Sequence, residues 1–220
     1  MTDRPSNLPK NRGRPKTFNR EAALDKALEL FWRHGYEGTS LSDLVEATGA
    51  KAPTLYAEFT NKEGLFRAAV ERYTERFSGQ RKTALCCPDI SVMEGVERYF
   101  RSTALCFTDG NNPAGCFFIC TSTALSADSA GVADMLRDRH RNQENELKTF
   151  LLERQQKGEL GAGTNIDGLA GYLVCLLQGM SVRAREGATR EDLDEIITTL
   201  MQQWPTLSRL GADVTEAVSL

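Results

Sequence analysis

Long apolar runs are missing from this chain of 220 residues. The longest, Leu169 to Leu177, is far too short to cross a bilayer. The opening residues, Met-Thr-Asp-Arg-Pro-Ser-Asn, lack the apolar core of a signal peptide, so a cytoplasmic protein with no membrane partner is expected. Histidine is scarce: His34 and His140 stand far apart, and no tandem Cys-x-x-Cys pair accompanies them, which leaves no zinc-binding spacing and no metal site to expect. Without export, the six cysteines are expected as reduced thiols and not as a disulfide framework. There is neither a nucleophile with base partners nor a glycine loop to cradle phosphate, so no enzyme and no cofactor is expected. Alternating strand patterns are absent as well. The apolar periodicities that do occur are helical, and the expected fold class is all-α.

Acidity dominates overall, with a net charge of −3. The placement is uneven, however. Residues 1–20 carry Arg4, Lys10, Arg12, Arg14, Lys16 and Arg20 against Asp3 alone, a net +5 that leaves −8 for the remainder. Basic charge confined to one end suits a protein that meets phosphate only there. Within it, Asn11-Arg-Gly-Arg-Pro-Lys16 contains an Arg-Gly-Arg-Pro core like that of an AT-hook. Its glycine lets the backbone lie flat in a narrow minor groove while Arg12 and Arg14 reach along A·T-rich edges. The alternative is a solvated basic tail that adds only non-specific attraction. In either case residues 1–18 form an arm expected to be disordered without DNA.

The most informative stretch runs from Ser40 to Phe59. Ser40 is a good N-cap, and Leu41, Leu44, Val45 and Thr48 recur on one helical face. Gly49 can take the left-handed conformation that stops a helix, and Ala50-Lys51 leaves only a turn. Pro53 is tolerable only in the first turn of a following helix, which therefore starts near Lys51 or Ala52 and turns Leu55 and Phe59 inward. Lys51, Ala52, Thr54, Tyr56 and Glu58 remain outside, a small, polar and aromatic face suited to a major groove. This is a helix-turn-helix pattern. A supporting helix from Asn19 to His34, ended by Gly35, carries Leu24, Ala27, Leu28 and Phe31 inward. A longer one opening at Lys62-Glu63 carries Leu65, Phe66, Ala69, Val70, Tyr73 and Phe77.

With Phe31, Gly35, Tyr36 and Thr39-Ser40 before it, and Asn61-Lys62-Glu63 and Leu65-Phe66 after it, the stretch resembles the N-terminal domain of the TetR family of bacterial transcriptional regulators over residues 20–75. Two positions depart from the family habit: Lys51 stands where a small N-cap is common, and Glu58 where histidine is common. The resemblance implies an all-α chain with a three-helix DNA-binding domain over residues 19–80. A larger ligand-binding and dimerisation domain would follow over residues 81–205, and then an irregular tail over 206–220. It also implies a homodimeric repressor on a palindromic double-stranded operator, released by a small-molecule effector as the long helix acts as a lever. Candidate DNA contacts are Arg12, Arg14, Thr39, Ser40, Lys51, Ala52, Pro53, Thr54, Tyr56 and Lys62.

Helices are expected over Val92 to Phe107, from near Ala114 through Cys120, and over Val132 to Gln156, with the polar run Arg137 to Glu146 facing water. Two more cover Ile166 to Arg185 and Arg190 to Trp204, where Pro205 ends the pattern. That last pair is the expected dimer surface: Gly171 and Gly179 permit close approach, and Leu193, Ile197, Leu200 and Trp204 form an apolar stripe that is otherwise monomer core. Tyr73, Phe77, Phe100, Phe117, Cys120, Phe150 and Tyr172 are candidate effector-pocket lining, with plain core as the alternative. Cys116 and Cys120, four apart on one helical face, could sense an oxidant, an electrophile or a soft metal, although buried packing is the commoner fate of a free cysteine. A helical small-molecule binder that no longer reads DNA is the remaining alternative.

Overall fold

The computed structural model describes residues 18–85, 89–122 and 125–209. Arg12, Arg14 and the rest of the arm up to residue 17, and the tail from residue 210, lie outside the described residues. Within them there are nine α-helices and no strand.

The first three helices follow from local chemistry. Helix α1 (Arg20–His34) is capped by the Asn19 side chain, which accepts from the Ala22 N–H at 3.1 Å. Ser40 and Asp43 close a reciprocal capping box on α2 (Leu41–Thr48), each side chain accepting from the other's backbone N–H. Gly49, at φ 66°, turns the chain into α3 (Ala52–Phe59), whose first turn holds Pro53. Leu44, Leu55 and Phe59 point into the core beneath.

Helix α4 (Lys62–Leu85) crosses the expected boundary at residue 80 without a break. It lays Leu65, Phe66, Ala69, Val70 and Tyr73, all buried, between α1 and α5 (Val92–Phe107). The Arg72 guanidinium fastens it to α1 through Asp25 at 2.9 and 3.2 Å and Glu21 at 3.0 Å. Behind these lie α6 (Phe117–Ser122), a short 3-10 turn (Ala127–Ser129), α7 (Ala130–Gln156), α8 (Ile166–Arg185) and α9 (Arg190–Leu207). As expected, Arg137 to Glu146 on α7 is exposed or half-buried throughout.

Helix α6 joins the two parts. Its Phe117, fully buried, sits 5.5 Å from the Phe66 ring, 5.3 Å from Tyr73 and 6.2 Å from Trp32, so the core runs unbroken from the first helices into the rest. This helix starts three residues later than Ala114. Gly115 has φ 82°, and a Cβ there would lie 2.7 Å from the Ser181 carbonyl oxygen, so the chain passes α8 in a conformation only glycine holds easily. The Cys116 N–H then donates to the Ser181 hydroxyl at 2.7 Å instead of entering a helix.

Two polar ties reinforce the joint. The Arg185 guanidinium donates to the carbonyl oxygens of Trp32, at 2.8 Å, and Arg33. The Glu37 carboxylate accepts from the Ser126 N–H at 3.0 Å, the Ser126 hydroxyl at 2.7 Å and the Ser129 hydroxyl at 2.6 Å. Those three donors hold its pKa at about 2, below the ordinary 4.5.

Two expectations about the last helices need correction. Pro205 does not end α9, which continues to Leu207. The proline faces solvent, and buried Trp204 anchors the turn around it, so tertiary packing outweighs one lost backbone hydrogen bond. Leu193, Ile197, Leu200 and Trp204 are at most 4% exposed inside a single chain, filling the space between α9 and its neighbours α5 and α8, and therefore form monomer core, not a dimer seam. Gly171 and Gly179, by contrast, keep partly or fully open positions on α8.

Ile197→Asp is accordingly expected to unfold the chain, with a loss of at least about 3 kcal/mol in denaturant titration, because a carboxylate would lose its water with no partner. A folded monomer from that variant would restore the seam. The tie at Glu37 contributes stability that is complete above pH 4.5 and is lost as pH falls towards about 2, since its folded pKa is depressed. In paired acid titrations Glu37→Gln should be less stable than the parent at pH 6 and should converge on it near pH 2.

Candidate nucleic-acid interface and the crevice behind it

The outer face of α3 is built by subtraction. Once Leu55 and Phe59 are committed to the core, Lys51, Pro53, Tyr56 and Glu58 are exposed, and Ala52 and Thr54 are half-buried at the helix start. No side chain caps this helix: Pro53 has no N–H to satisfy, and the Thr54 N–H donates to the Lys51 carbonyl at 2.9 Å. At its other end Thr60 closes the turn with φ 68°, unusual for a β-branched residue, and donates its N–H to the Tyr56 carbonyl at 2.9 Å. The face is thereby held on a stiff support.

The remaining candidates divide. Ser40 is exposed at the N-terminus of α2, where helix dipole and hydroxyl both suit an anion. Thr39 does not share that position. It is 1% exposed and its hydroxyl donates to the Gly35 carbonyl at 2.8 Å, so it sets the turn that presents Ser40 and cannot itself reach a phosphate. Lys62, at the start of α4, places its ammonium 4.3 Å from the centre of the Tyr36 ring, and burial pulls its pKa below the usual lysine range. It is half-buried and reaches a backbone phosphate only by leaving that ring. Glu58, whose place in the motif is unusual, lies 3.8 Å from the Arg20 guanidinium, which also stacks over Phe59 at 5.0 Å. One acidic side chain on the outer face is thus partly neutralised from α1.

The aromatic candidates for an effector pocket do not gather. Tyr73, Phe100, Phe117 and Phe150 are buried within the packed core, Phe77 packs tilted against Tyr73 and edge-on against Trp32, and Tyr172 is 46% exposed on the outward side of α8. Tyr73 meets Phe77 and Phe117 at tilted ring contacts, and Trp32 meets all three edge-on. Cys120 does face a cavity. This crevice, about 400 Å³, opens at the joint between the first helices and the rest, with the turn His34 to Gly38 on one wall, Ile119 and Cys120 of α6 on another, and Val182, Arg185 and Glu186 at the end of α8 on the third. In sequence only Cys120 pointed to it, because its walls come from segments some 150 positions apart.

The two cysteines four apart share a face only in part. Cys116 precedes the helix, is buried, and receives the Tyr73 hydroxyl at 3.6 Å. Burial raises the Cys120 thiol above its usual range, against a smaller opposing effect of Arg185, so this thiol is neutral and a poor nucleophile. Among the described residues no three His, Cys, Asp or Glu side chains come together as a metal would require, and no helix is long and apolar enough to cross a membrane.

Comparison with known proteins agrees with this geometry. Residues 23–69 match the family profile described as bacterial regulatory proteins, tetR family, and residues 93–204 match that of the tetracyclin repressor-like C-terminal domain. The HTH-type transcriptional repressor ComR of Escherichia coli is 53% identical over 206 residues, covering 94% of this chain and 98% of its own. An uncharacterised HTH-type regulator of Bacillus subtilis, YezE, is 31% identical over 162 residues, covering 73% of this chain and 83% of its own. Among solved structures, a cysteine mutant of the TetR family regulator CifR complexed with a 26 bp double-strand operator DNA superposes with a TM-score of 0.82 at 34% identity, covering 87% of this chain and all of that one. The two matched domains together take in most of the chain, which belongs to the TetR family of bacterial transcriptional regulators.

Proposed function

We propose that this protein is a cytoplasmic, dimeric transcriptional repressor that holds a palindromic operator through α3 and the N-terminus of α2 and is released by a small-molecule effector. The observation that carries this reading is the outer face of α3, exposed, uncapped and rigidly seated, on a chain 53% identical to a named repressor. In it Thr54 and Tyr56, with the small surfaces of Ala52 and Pro53, meet base edges and sugars. Lys51 and Ser40 meet phosphates, Lys62 joins them on leaving Tyr36, and Arg12 and Arg14 follow the adjacent minor groove.

The dimer surface we assign to the outward face of α8 and its neighbour α9. Tyr172, Cys175 and Gly179 are exposed at helical spacing on α8, and nothing lies within 4 Å of a Cβ built on Gly179. Alongside, α9 exposes Thr198, Thr199, Gln202 and Gln203. Two adjacent helices whose outer faces are uncharged over much of their length, with Glu191, Asp192 and Glu195 exposed only towards the start of α9, suit a self-complementary contact. A single short recognition helix reads only a few base pairs, so two copies are what give site length and affinity.

Three outcomes test this. In gel-shift titrations against fragments of the native genome, log affinity should fall linearly with log salt, by about 0.9 per phosphate neutralised, and a flat dependence would overturn phosphate anchoring. Thr54→Ala and Tyr56→Ala should abolish operator recognition while changing stability by no more than about 1 kcal/mol, because neither side chain is in the core. Deleting residues 1–16 should weaken binding most where the flanks are A·T-rich, whereas equal loss on all flanks would mark the arm as a plain basic tail. For the dimer, Gly179→Arg should give a folded monomer by light scattering, and an unchanged dimer would place the interface elsewhere.

A further inference from the structure

From the crevice at the joint, and resting on the regulatory reading above, we infer that the effector is a small apolar monocarboxylate, and that it acts by taking Arg185 away from α1. The starting point is what Arg185 does without a ligand. It is the last residue of α8, and its guanidinium donates to the carbonyl oxygens of Trp32 and Arg33 in the last turn of α1. Carbonyls in a helix's final turn have no partner within the helix and collect its negative end, so an arginine is well placed there. They are nevertheless neutral acceptors. A carboxylate offers the same fork two parallel, charge-assisted hydrogen bonds, each roughly twice as strong as a neutral one. The ligand therefore competes for Arg185 directly, and what it displaces is the polar pin between α8 and the helix that supports the DNA-binding face.

The rest of the crevice defines the body of the molecule. Its volume of about 400 Å³ falls in the range of small-molecule sites. Ile119 and half-exposed Val182 supply apolar wall, and Gly35 and Gly38 leave the floor without side chains. The neutral thiol of Cys120 adds a soft, weakly polar surface beside Arg185 and not a nucleophile. Charge sets the limit of one anionic group. Glu37 already accepts three hydrogen bonds from Ser126 and Ser129, and Glu186 stands at the rim, so a second negative group on the ligand would face two carboxylates.

Coupling follows from the geometry. With Arg185 on α1, the supporting helix is tied to α8; with Arg185 on the ligand that tie is gone, while the packing on α4, the aromatic contacts of Phe117 and the Glu37 tie remain. A ligand that binds the second arrangement better shifts the population towards it, and shifts the set of α3 with it.

The test is calorimetric titration of the full chain with benzoate and hexanoate, against benzamide and hexanamide as neutral counterparts. The acids should bind at least about tenfold more tightly than the amides. Arg185→Gln should lose that difference, and Arg185→Lys, which keeps the charge without the fork, should retain only part of it. Val182→Asp, read on protein that light scattering shows to be dimeric because Val182 lies one turn from Gly179, should weaken the acids by about tenfold through a carboxylate on the crevice wall. Equal binding of acids and amides, no binding of either acid, or acid binding that survives both Arg185→Gln and Val182→Asp would overturn the site. Run in parallel, anisotropy on a retained genomic fragment separates the two claims. A chain that binds no DNA overturns the regulatory reading while the calorimetry still decides the site, and acid binding that leaves DNA bound overturns the release of the pin.

Discussion

Everything in this molecule depends on the seating of Phe117 against Trp32, Phe66 and Tyr73. A three-helix unit as small as α1 to α3 buries too little apolar surface to be secure alone, and here it is not asked to be alone. Its core continues through an aromatic cluster into α6, and α4 serves both sides of that cluster at once. The interlocked rings resist sliding, since interiors pack like solids and small displacements break contacts outright. Motion at the joint is thereby restricted to alternatives that keep the rings seated, which is what allows a few polar contacts at the edge to select among them.

Those edge contacts are of unequal kinds. The Glu37 tie is a carboxylate accepting three donors at the N-terminal end of α7, while the Arg185 tie is a cation on two neutral carbonyls. The first has little to gain from a new partner, and the second has much. Around them the joint encloses a crevice that sets the Arg185 guanidinium beside an apolar wall. The crevice lies beside the last turn of α1, the helix that supports the DNA-binding face.

At the DNA-binding face the chemistry is plainer. Pro53, Gly49 and the Ser40–Asp43 box decide where α2 and α3 begin and end, and the inward commitment of Leu55 and Phe59 decides which side of α3 is left over. Thr39 shows the limit of that logic. Its position next to Ser40 suggests a phosphate contact, but its hydroxyl is turned inward onto Gly35 and holds the turn.

The sequence by itself determined the helices whose ends it marks chemically: α1 between Asn19 and Gly35, α2 between Ser40 and Gly49, and α3 around Pro53. Caps, prolines and left-handed glycines act within a few residues, so they are legible without knowing the fold. Only the tertiary structure decided which apolar stripe faces which neighbour. Leu193, Ile197, Leu200 and Trp204 read equally well as seam or core, and packing against α5 made them core. Tyr172 reads as pocket lining until α8 is seen to turn it outward. The start of α6 and the persistence of α9 past Pro205 were likewise settled from outside, by the close passage of Gly115 over Ser181 and by the burial of Trp204. Periodicity states that a face is apolar but not what covers it, and contacts such as Arg185 with Trp32 or Glu37 with Ser126 join residues too distant in the chain to leave any local trace.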